Sequence, residues 1–119
     1  MSSMPIVVWT EIPVSKLDSA ISFYNEVFNW DMQINTDSPN PTAVLGGRMD
    51  TVAGSLFEGT PGTGTVIHIA VPDTLEATRD RCTAAGGKVT SDIVTLPVGR
   101  FVYASDPDGN ALGLFEVAA

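Results

Sequence analysis

Two stretches of the chain repeat one pattern, a short β-branched segment followed by an amphipathic helical segment. In the first stretch, apolar residues recur at steps of three and four, at Leu17, Ala20, Ile21, Tyr24, Val27 and Phe28. This spacing predicts a helix near 16–29 packed on one face. In the second stretch the same step recurs at Leu75, Thr78, Cys82 and Ala85, and Gly86-Gly87 follows. Since glycine commonly ends a helix in a left-handed conformation, we predict a second helix near 74–85.

The rest of the sequence reads as strands separated by turn residues, and it supports an internal duplication. Setting Val14 on Val71 gives an offset of 71 − 14 = 57 and places "WTEIPV" over "VIHIAV". Near the ends of the halves, "GSLF" at Gly54 matches "GLFE" at Gly113, an offset of 113 − 54 = 59. The order β-α-β-β-β, present twice, predicts an α+β fold built from two similar modules.

Length and composition indicate one domain. The chain has 119 residues, of which 44% are hydrophobic, so one compact core accounts for it. We predict a single domain over 1–119, with module 1 at about 5–58, a linker at 59–63 that is rich in glycine and threonine, and module 2 at about 64–119.

The charge of the chain excludes some partners. Six Lys and Arg against 14 Asp and Glu give a formal net charge of −8, which disfavours binding to nucleic acid or to an anionic membrane surface. The start "MSSMPIVVWTEIP" has no basic segment before its short apolar run, so we expect a cytoplasmic protein. The single cysteine, Cys82, lies on the apolar stripe of the second helix and is interpreted as a small buried side chain rather than a nucleophile.

Three separated segments resemble a known family. They are "EIPVSKLDSAISFYNEVFNW" after the first strand, "AAGGKV" after the second helix, and "DPDGNALGLFE" at the end. In this combination the chain resembles the vicinal oxygen chelate superfamily, which includes glyoxalases, bleomycin-resistance proteins and extradiol dioxygenases. The resemblance implies two βαβββ modules that form an incomplete barrel around a cleft, often completed by a second chain, and hence a homodimer. Function follows from the site and not from the fold.

In the metal-dependent members of this family, side chains from four strands hold a divalent ion. Carried over residue by residue, the resemblance places these positions at Trp9, Gly54, Val66 and Gly113. None of the four binds a metal through its side chain, although two glycines would leave space in the cleft and an indole would add an apolar wall. We therefore predict a cleft that binds a small organic molecule, lined by these four residues, with no metal cofactor.

One pair of residues keeps a catalytic alternative open. Alternation along a strand puts Glu11 on the side of Trp9 and His68 on the side of Val66, and the two are equivalent under the 57-residue offset (68 − 11 = 57). Such a pair could transfer a proton near neutral pH or contribute two ligands to Zn, Ni, Mn or Fe. The alternative function is thus a divalent-metal-dependent lyase, isomerase or dioxygenase that uses Glu11 and His68. A third hypothesis is a purely structural dimer whose cleft is filled by core side chains, so whether the chain is an enzyme stays open.

Two further charged residues have competing interpretations. Arg100 could bind an anionic ligand or pair with one of the acids. Glu116 lies three residues after Gly113, an odd step that directs it away from the cleft, so we expect a solvent-facing strand end rather than a metal ligand. The segment from Val71 to Gly86-Gly87 is one residue longer than the resemblance implies, which an extra residue at Thr74 or a bulge would explain.

Overall fold

The computed structural model describes residues 5–37, 40–62 and 64–118, and the chain divides into two compact units. The first unit contains Trp9–Thr65. The second unit contains residues 66–118 together with residues 5–8. Each unit places one long helix against one side of its own strands. Neither helix of the described residues is long and apolar enough to cross a membrane.

The first unit contains one helix and parts of three strands. Its elements are β1 (Val7–Val14, mostly in this unit), α1 (Leu17–Phe28), β2 (Thr42–Val44), a short 3-10 turn (Leu45–Gly47) and β3 (Ala53–Glu58). β3 lies between the other two strands, parallel to β1 and antiparallel to β2. The core of this unit is formed by Leu17, Met32, Ala43 and Leu56.

Helix α1 is held at both ends by specific contacts. Its N-cap residue, Lys16, makes no capping bond through its side chain, and the Leu17 N–H donates instead to Glu58 Oε2 at 3.1 Å. At the other end Asn29 adopts the left-handed conformation, with φ 58°, that allows the helix to end. The Asn25 side chain then accepts a hydrogen bond from the Met32 N–H at 2.8 Å, which fixes the chain as it leaves the helix.

The second unit contains the other helix and five strands. Its elements are β4 (Val66–Ala70), α2 (Leu75–Ala84), β5 (Lys88–Val89), β6 (Val94–Leu96), β7 (Gly99–Ser105) and β8 (Ala111–Val117). The strands follow the order β4-β8-β7-β5, and β6 also pairs with β7. The core under α2 is formed by Leu75, Val102, Ala104 and Leu114. Two hydrogen bonds fix the start of α2, from the Ala77 N–H to Thr74 Oγ1 and from the Leu75 N–H to Glu116 Oε1.

Both predicted helices are confirmed to within about one residue, whereas the predicted strand count is not. In the described part of the first unit, two strands follow α1 rather than three, and Asn35 contributes only an isolated bridge to Thr42. In the second unit four strands follow α2, because the short β5 and β6 pair with β7. β5 and β6, of two and three residues, carry too little periodicity to be recognised from sequence.

The same helix-capping contact occurs in both units, and it gives the number of residues that separates equivalent positions of the duplication. Leu17 is capped by Glu58, and Leu75 is capped by Glu116, so helix and final strand are related by 75 − 17 = 116 − 58 = 58 residues. The first strands keep the predicted offset of 57, since Glu11 pairs with Ser55 whereas His68 pairs with Gly113. The extra residue lies between Val71 and Leu75, where three residues intervene, against two between Val14 and Leu17. The additional residue therefore leaves the register of His68 unchanged.

Candidate functional site

The side of the second unit that faces away from α2 carries a group of aromatic residues. Directly paired residues on neighbouring strands point to the same side, and the pairings are His68 with Gly113, Gly113 with Tyr103, and Phe115 with Phe101. We call this side, defined by His68, Phe101, Tyr103, Gly113 and Phe115, the aromatic face. The intervening residues of β7 and β8 point the other way, into the core under α2.

His68 is buried among three aromatic rings. Its side chain is 1% exposed, and the ring centroids of Phe101, Tyr103 and Phe115 lie at 4.9, 5.6 and 5.9 Å. The Phe101 and Phe115 rings are perpendicular to the imidazole and stack on each other at 5.7 Å. Such edge-to-face packing places a polar, titratable ring in an apolar setting.

Gly113 lets the imidazole approach the backbone of β8. A Cβ atom at position 113 would lie 2.5 Å from His68 Cγ and still closer to Nδ1 and Cε1. Any larger residue at 113 would therefore occupy the place of the His68 ring. The expectation that Gly113 leaves open space is wrong, because the imidazole fills that space.

The position assigned to Gly54 needs correction. Gly54 pairs with Thr10 and alternates with Leu56, which belongs to the core under α1, so Gly54 lies on the α1 side of its strand. A Cβ there would come within 3.0 Å of the Thr10 carbonyl carbon and nearer still to its oxygen. Under the 58-residue offset the counterpart of Gly113 is Ser55, which is 8% exposed. The 59-residue overlay was wrong because it ignored the register of the strands.

The other predicted cleft residues lie on the sides expected for them. Trp9 and Glu11 alternate with Thr10 on β1, on the side away from α1, and Glu11 pairs with Ser55. On β4, Val66 and His68 share one side of the strand, and Ile67 lies on the other side. Trp9, Glu11 and Val66 are half-buried. Glu11 belongs to the first unit and His68 to the second, and their pairing stays a prediction.

Arg100 lies on the α2 side of the sheet, opposite the aromatic face. Its guanidinium donates to Glu76 at 2.6 and 2.7 Å and to Glu116 at 3.0 Å. These bonds raise the pKa of Arg100, and they lower the pKa of Glu76 from 4.5 to about 2 and the pKa of Glu116 below its ordinary value. These contacts favour Arg100 as the ion-pair partner of Glu76 and Glu116. Ligand binding by Arg100 stays a prediction, and its position on the α2 side gives that prediction no support.

The expectation of a solvent-facing Glu116 is wrong, although its direction away from Gly113 is confirmed. The Glu116 side chain is 29% exposed and accepts hydrogen bonds from the Leu75 N–H and from Arg100. A carboxylate at this place stabilises the start of α2, because unpaired N–H groups and the helix dipole both favour a negative charge there. Glu116 is therefore a capping residue.

The residues at the four positions do not suit a divalent metal. With Ser55 in place of Gly54, they offer one hydroxyl besides the side chains of Trp9 and Val66 and the bare Gly113. Divalent ions in proteins prefer carboxylate, imidazole or thiolate ligands. Within the described ranges, no group of three or more His, Cys, Asp and Glu side chains is placed to hold a metal ion.

The three aromatic residues around His68 were not predicted as site residues. Their signal was present in the alternation of "RFVYASD" and "ALGLFEV", where Phe101, Tyr103 and Phe115 fall on one side of each strand with Gly113. The period alone does not show which side of a strand faces a helix. Only the position of α2 assigns these rings to the opposite side.

Comparison with known proteins identifies the family. A family model described as the Glyoxalase/Bleomycin resistance protein/Dioxygenase superfamily matches residues 6–114. A glyoxylase-like domain-containing protein of Didymella fabae is 31% identical over 111 residues, which is 84% of each chain. The putative glyoxylase CFP32 of Mycobacterium bovis is 31% identical over 118 residues, and this match spans 94% of the present chain but 44% of that protein.

Solved structures show the same fold at low sequence identity. A methylmalonyl-CoA epimerase in complex with methylmalonyl-CoA and NH4+ gives a TM-score of 0.68 at 17% identity, covering 98% of this chain and 97% of that one. A Mn(II)-bound glyoxalase from Novosphingobium aromaticivorans gives a TM-score of 0.65 at 22% identity, covering 93% and 38%. The predicted α+β class is confirmed. The chain belongs to the glyoxalase/bleomycin resistance protein/dioxygenase superfamily, which is the vicinal oxygen chelate group that its three motifs resemble.

Proposed function

We propose that this chain binds a small organic molecule against the aromatic face, without a bound metal ion. The observation that carries the proposal is the buried His68 imidazole, held against Gly113 by three aromatic rings on the side of the sheet away from α2. Small-molecule sites are typically apolar and aromatic with a few polar groups that fix orientation. The half-buried Tyr103 would supply that polar group through its hydroxyl, and the rings packed around His68 would supply the apolar contact.

The charges around this face favour an uncharged ligand. The residues that define it include no lysine or arginine, and Arg100 on the neighbouring strand points to the α2 side and is paired with two carboxylates. An anion would meet no fixed positive charge here and would be repelled by the net charge of −8. Tyr103 is half-buried, whereas Phe101 and Phe115 are buried, so contact with an incoming molecule begins at Tyr103.

The test combines metal analysis with ligand binding. Protein expressed in medium that contains Zn, Ni, Mn and Fe is expected to carry no stoichiometric metal, and a set of uncharged aromatic compounds is expected to raise its melting temperature. The Tyr103→Ala variant should lose this stabilisation, whereas Leu96→Ala, an exposed change on β6, should keep it. Stoichiometric metal, or stabilisation that Tyr103→Ala leaves intact, would contradict the proposal.

A second candidate function is acid–base catalysis by Glu11 and His68. The strand registers favour it, because Glu11 opposite Ser55 and His68 opposite Gly113 hold equivalent places in the two units. A carboxylate and an imidazole can transfer a proton between them and a substrate near neutral pH. If a carbonyl compound is turned over, Glu11→Gln and His68→Gln should each lower kcat while the protein stays folded, and an unchanged kcat in either variant would contradict this candidate.

Two proposals concern the state of the protein in the cell. We also propose the homodimer that the family resemblance implies and the cytoplasmic location that the sequence favours. Sedimentation of the full chain tests the first, and microscopy of a tagged chain tests the second.

A further inference from the structure

The first unit carries a pair of polar side chains on the side of its strands that faces away from α1. Glu11 on β1 and Ser55 on β3 are paired in register, so their side chains point to the same side. The next residues along each strand, Ile12 and Leu56, point the other way and belong to the core under α1. We call this side the first-unit face and define it by Trp9, Glu11, Val44, Ser55 and Phe57.

Ser55 is a buried polar side chain that the fold of its own unit does not use. It is 8% exposed, so it is almost enclosed but not sealed. Among the described residues, none hydrogen-bonds to its hydroxyl group. Burying a hydroxyl group without a hydrogen bond costs free energy, and an alanine at this position would avoid that cost. The serine is therefore better explained by a ligand than by folding.

Glu11 places a negative charge beside this hydroxyl group. Neighbouring strands lie about 4.8 Å apart, so one nitrogen atom can reach both side chains with hydrogen bonds of about 2.8 Å. A carboxylate has two oxygens with about four acceptor positions, so other bonds of Glu11 leave room for this contact. Glu11 is half-buried, and its charge is therefore less weakened by water than that of an exposed carboxylate.

Aromatic rings border the polar pair along both strands. Trp9 precedes Glu11 by two residues on β1, and the indole of tryptophan is the side chain that attracts cations best. Phe57 follows Ser55 by two residues on β3, a distance of about 6.6 Å along the strand. Phe57 also lines a cavity of about 470 Å³, a volume in the usual range of small-molecule sites. The other residues of its lining are Asn40, Pro41 and Glu58.

The charges and the hydrogen-bonding atoms define the ligand group that fits. The first-unit face contains no lysine or arginine, and the net charge of −8 attracts cations to the chain. The carboxylate of Glu11 and the hydroxyl oxygen of Ser55 both accept hydrogen bonds, so a group that joins them needs at least two N–H donors. A primary ammonium group has three such donors, whereas a quaternary ammonium group has none.

We propose that the first-unit face binds a small primary amine with an aromatic or apolar body. The ammonium group donates to Glu11 and to the Ser55 hydroxyl group beside Trp9, and the body packs on Phe57 and extends into the cavity. This site differs from the aromatic face in its residues and in the charge of its ligand, so it does not depend on ligand binding by the aromatic face.

The test is an NMR chemical-shift titration of the full chain with two compounds. The probe is 2-phenylethylamine, which joins an ammonium group to an aromatic ring through a short apolar linker. The comparison compound is its trimethylammonium analogue, which keeps the ring and the charge but has no N–H group. We expect the amine to bind at least about tenfold more tightly than the analogue, and more weakly as salt rises from about 50 to 200 mM.

Two variants with matched controls assign the binding to the polar pair. Ser55→Ala should weaken amine binding about tenfold, whereas Ser105→Ala, at a half-buried serine of β7, should not. Glu11→Gln should weaken it at least about tenfold, whereas Glu26→Gln, an equal change in charge at an exposed residue of α1, should not.

The stability of Ser55→Ala separates a binding role from a structural one. Its melting temperature should equal or exceed that of the wild type, because the change removes no hydrogen bond of the fold. A lower melting temperature with unchanged amine affinity would show that the hydroxyl group serves the fold, and it would overturn the proposal. Equal affinities for the amine and its trimethylammonium analogue, or an amine dissociation constant above about 10 mM, would also overturn it.

Discussion

Replacing Gly113 with alanine tests whether His68 owes its place to the missing side chain. In the folded chain the added Cβ would lie 2.5 Å from His68 Cγ and closer to two other ring atoms. Ordinary contact begins near 3.4 Å, so the imidazole must move by about 1 Å or more. Its surroundings resist such a shift, because Phe101 and Phe115 close the space around a ring that is 1% exposed.

The expected loss of stability follows from these contacts. Forcing extra volume into a packed interior costs about 1–3 kcal/mol, and contact with three ring atoms places Gly113→Ala at the upper end of that range. Alanine in a strand recovers about 0.5–1 kcal/mol because it restricts the unfolded chain more than glycine does. The net loss is about 2 kcal/mol, which corresponds to a fall in melting temperature of about 8 °C for a chain of this size.

Urea denaturation of a double-mutant cycle is the assay. His68→Ala removes the ring and leaves a cavity, and the added methyl of Gly113→Ala fills part of that cavity. The double variant should therefore be at least about 1.5 kcal/mol more stable than the sum of the two single effects predicts. Gly54→Ala is the matched control, because its Cβ meets the Thr10 carbonyl group, which no side-chain truncation removes.

Two results would refute this reasoning. The first is a Gly113→Ala variant as stable as the wild type, which would mean that the ring moves at no cost. The second is strict additivity with His68→Ala, or equal rescue of Gly54→Ala, which would show that the loss does not come from contact with the imidazole.

Three other predictions concern the caps and the ion pairs. Arg100 lowers the pKa of Glu76 from 4.5 to about 2. The pair therefore stabilises the fold fully above pH 4.5, and this stabilisation is lost as the pH falls towards 2. In urea titrations between about pH 6 and 3, Arg100→Gln should lose less stability than the wild type does. Glu58→Ala should lower the free energy of unfolding by about 1 kcal/mol, since the Leu17 N–H loses its acceptor, and unchanged urea midpoints would contradict this. Asn29→Gly should raise the melting temperature, because glycine adopts φ 58° with less strain, and a lower value would show that the asparagine side chain contributes more than its backbone costs.

Much of the fold could be predicted because its signals are local. The apolar steps of α1 and α2 reflect the helical period, and Gly86 ends the second helix with φ 100°, as its sequence position predicts. The family was also recognisable, since turn and helix motifs keep their order in the chain. The short strands β5 and β6 were missed because two or three residues pair only when β7 is already in place.

The candidate site was predicted only in part. An alternating pattern shows which residues share one side of a strand, but not whether that side faces a helix. The sequence places Glu11 and His68 at equivalent positions, and the registers with Ser55 and Gly113 give the same equivalence. It misplaced Gly54, since the overlay of "GSLF" on "GLFE" used an offset of 59 where the paired strands have 58, and a shift of one residue moves a side chain to the other face.

By itself, the sequence determined the class of the fold, the two helices and the duplication. The tertiary structure decided how the space at Gly113 is used and what Glu116 does. The physical reason is that both depend on residues far apart in the chain: the imidazole of His68 on β4 fills the gap on β8, and the carboxylate at the end of β8 caps a helix 41 residues earlier. Such contacts arise only when strand register and helix packing are fixed together.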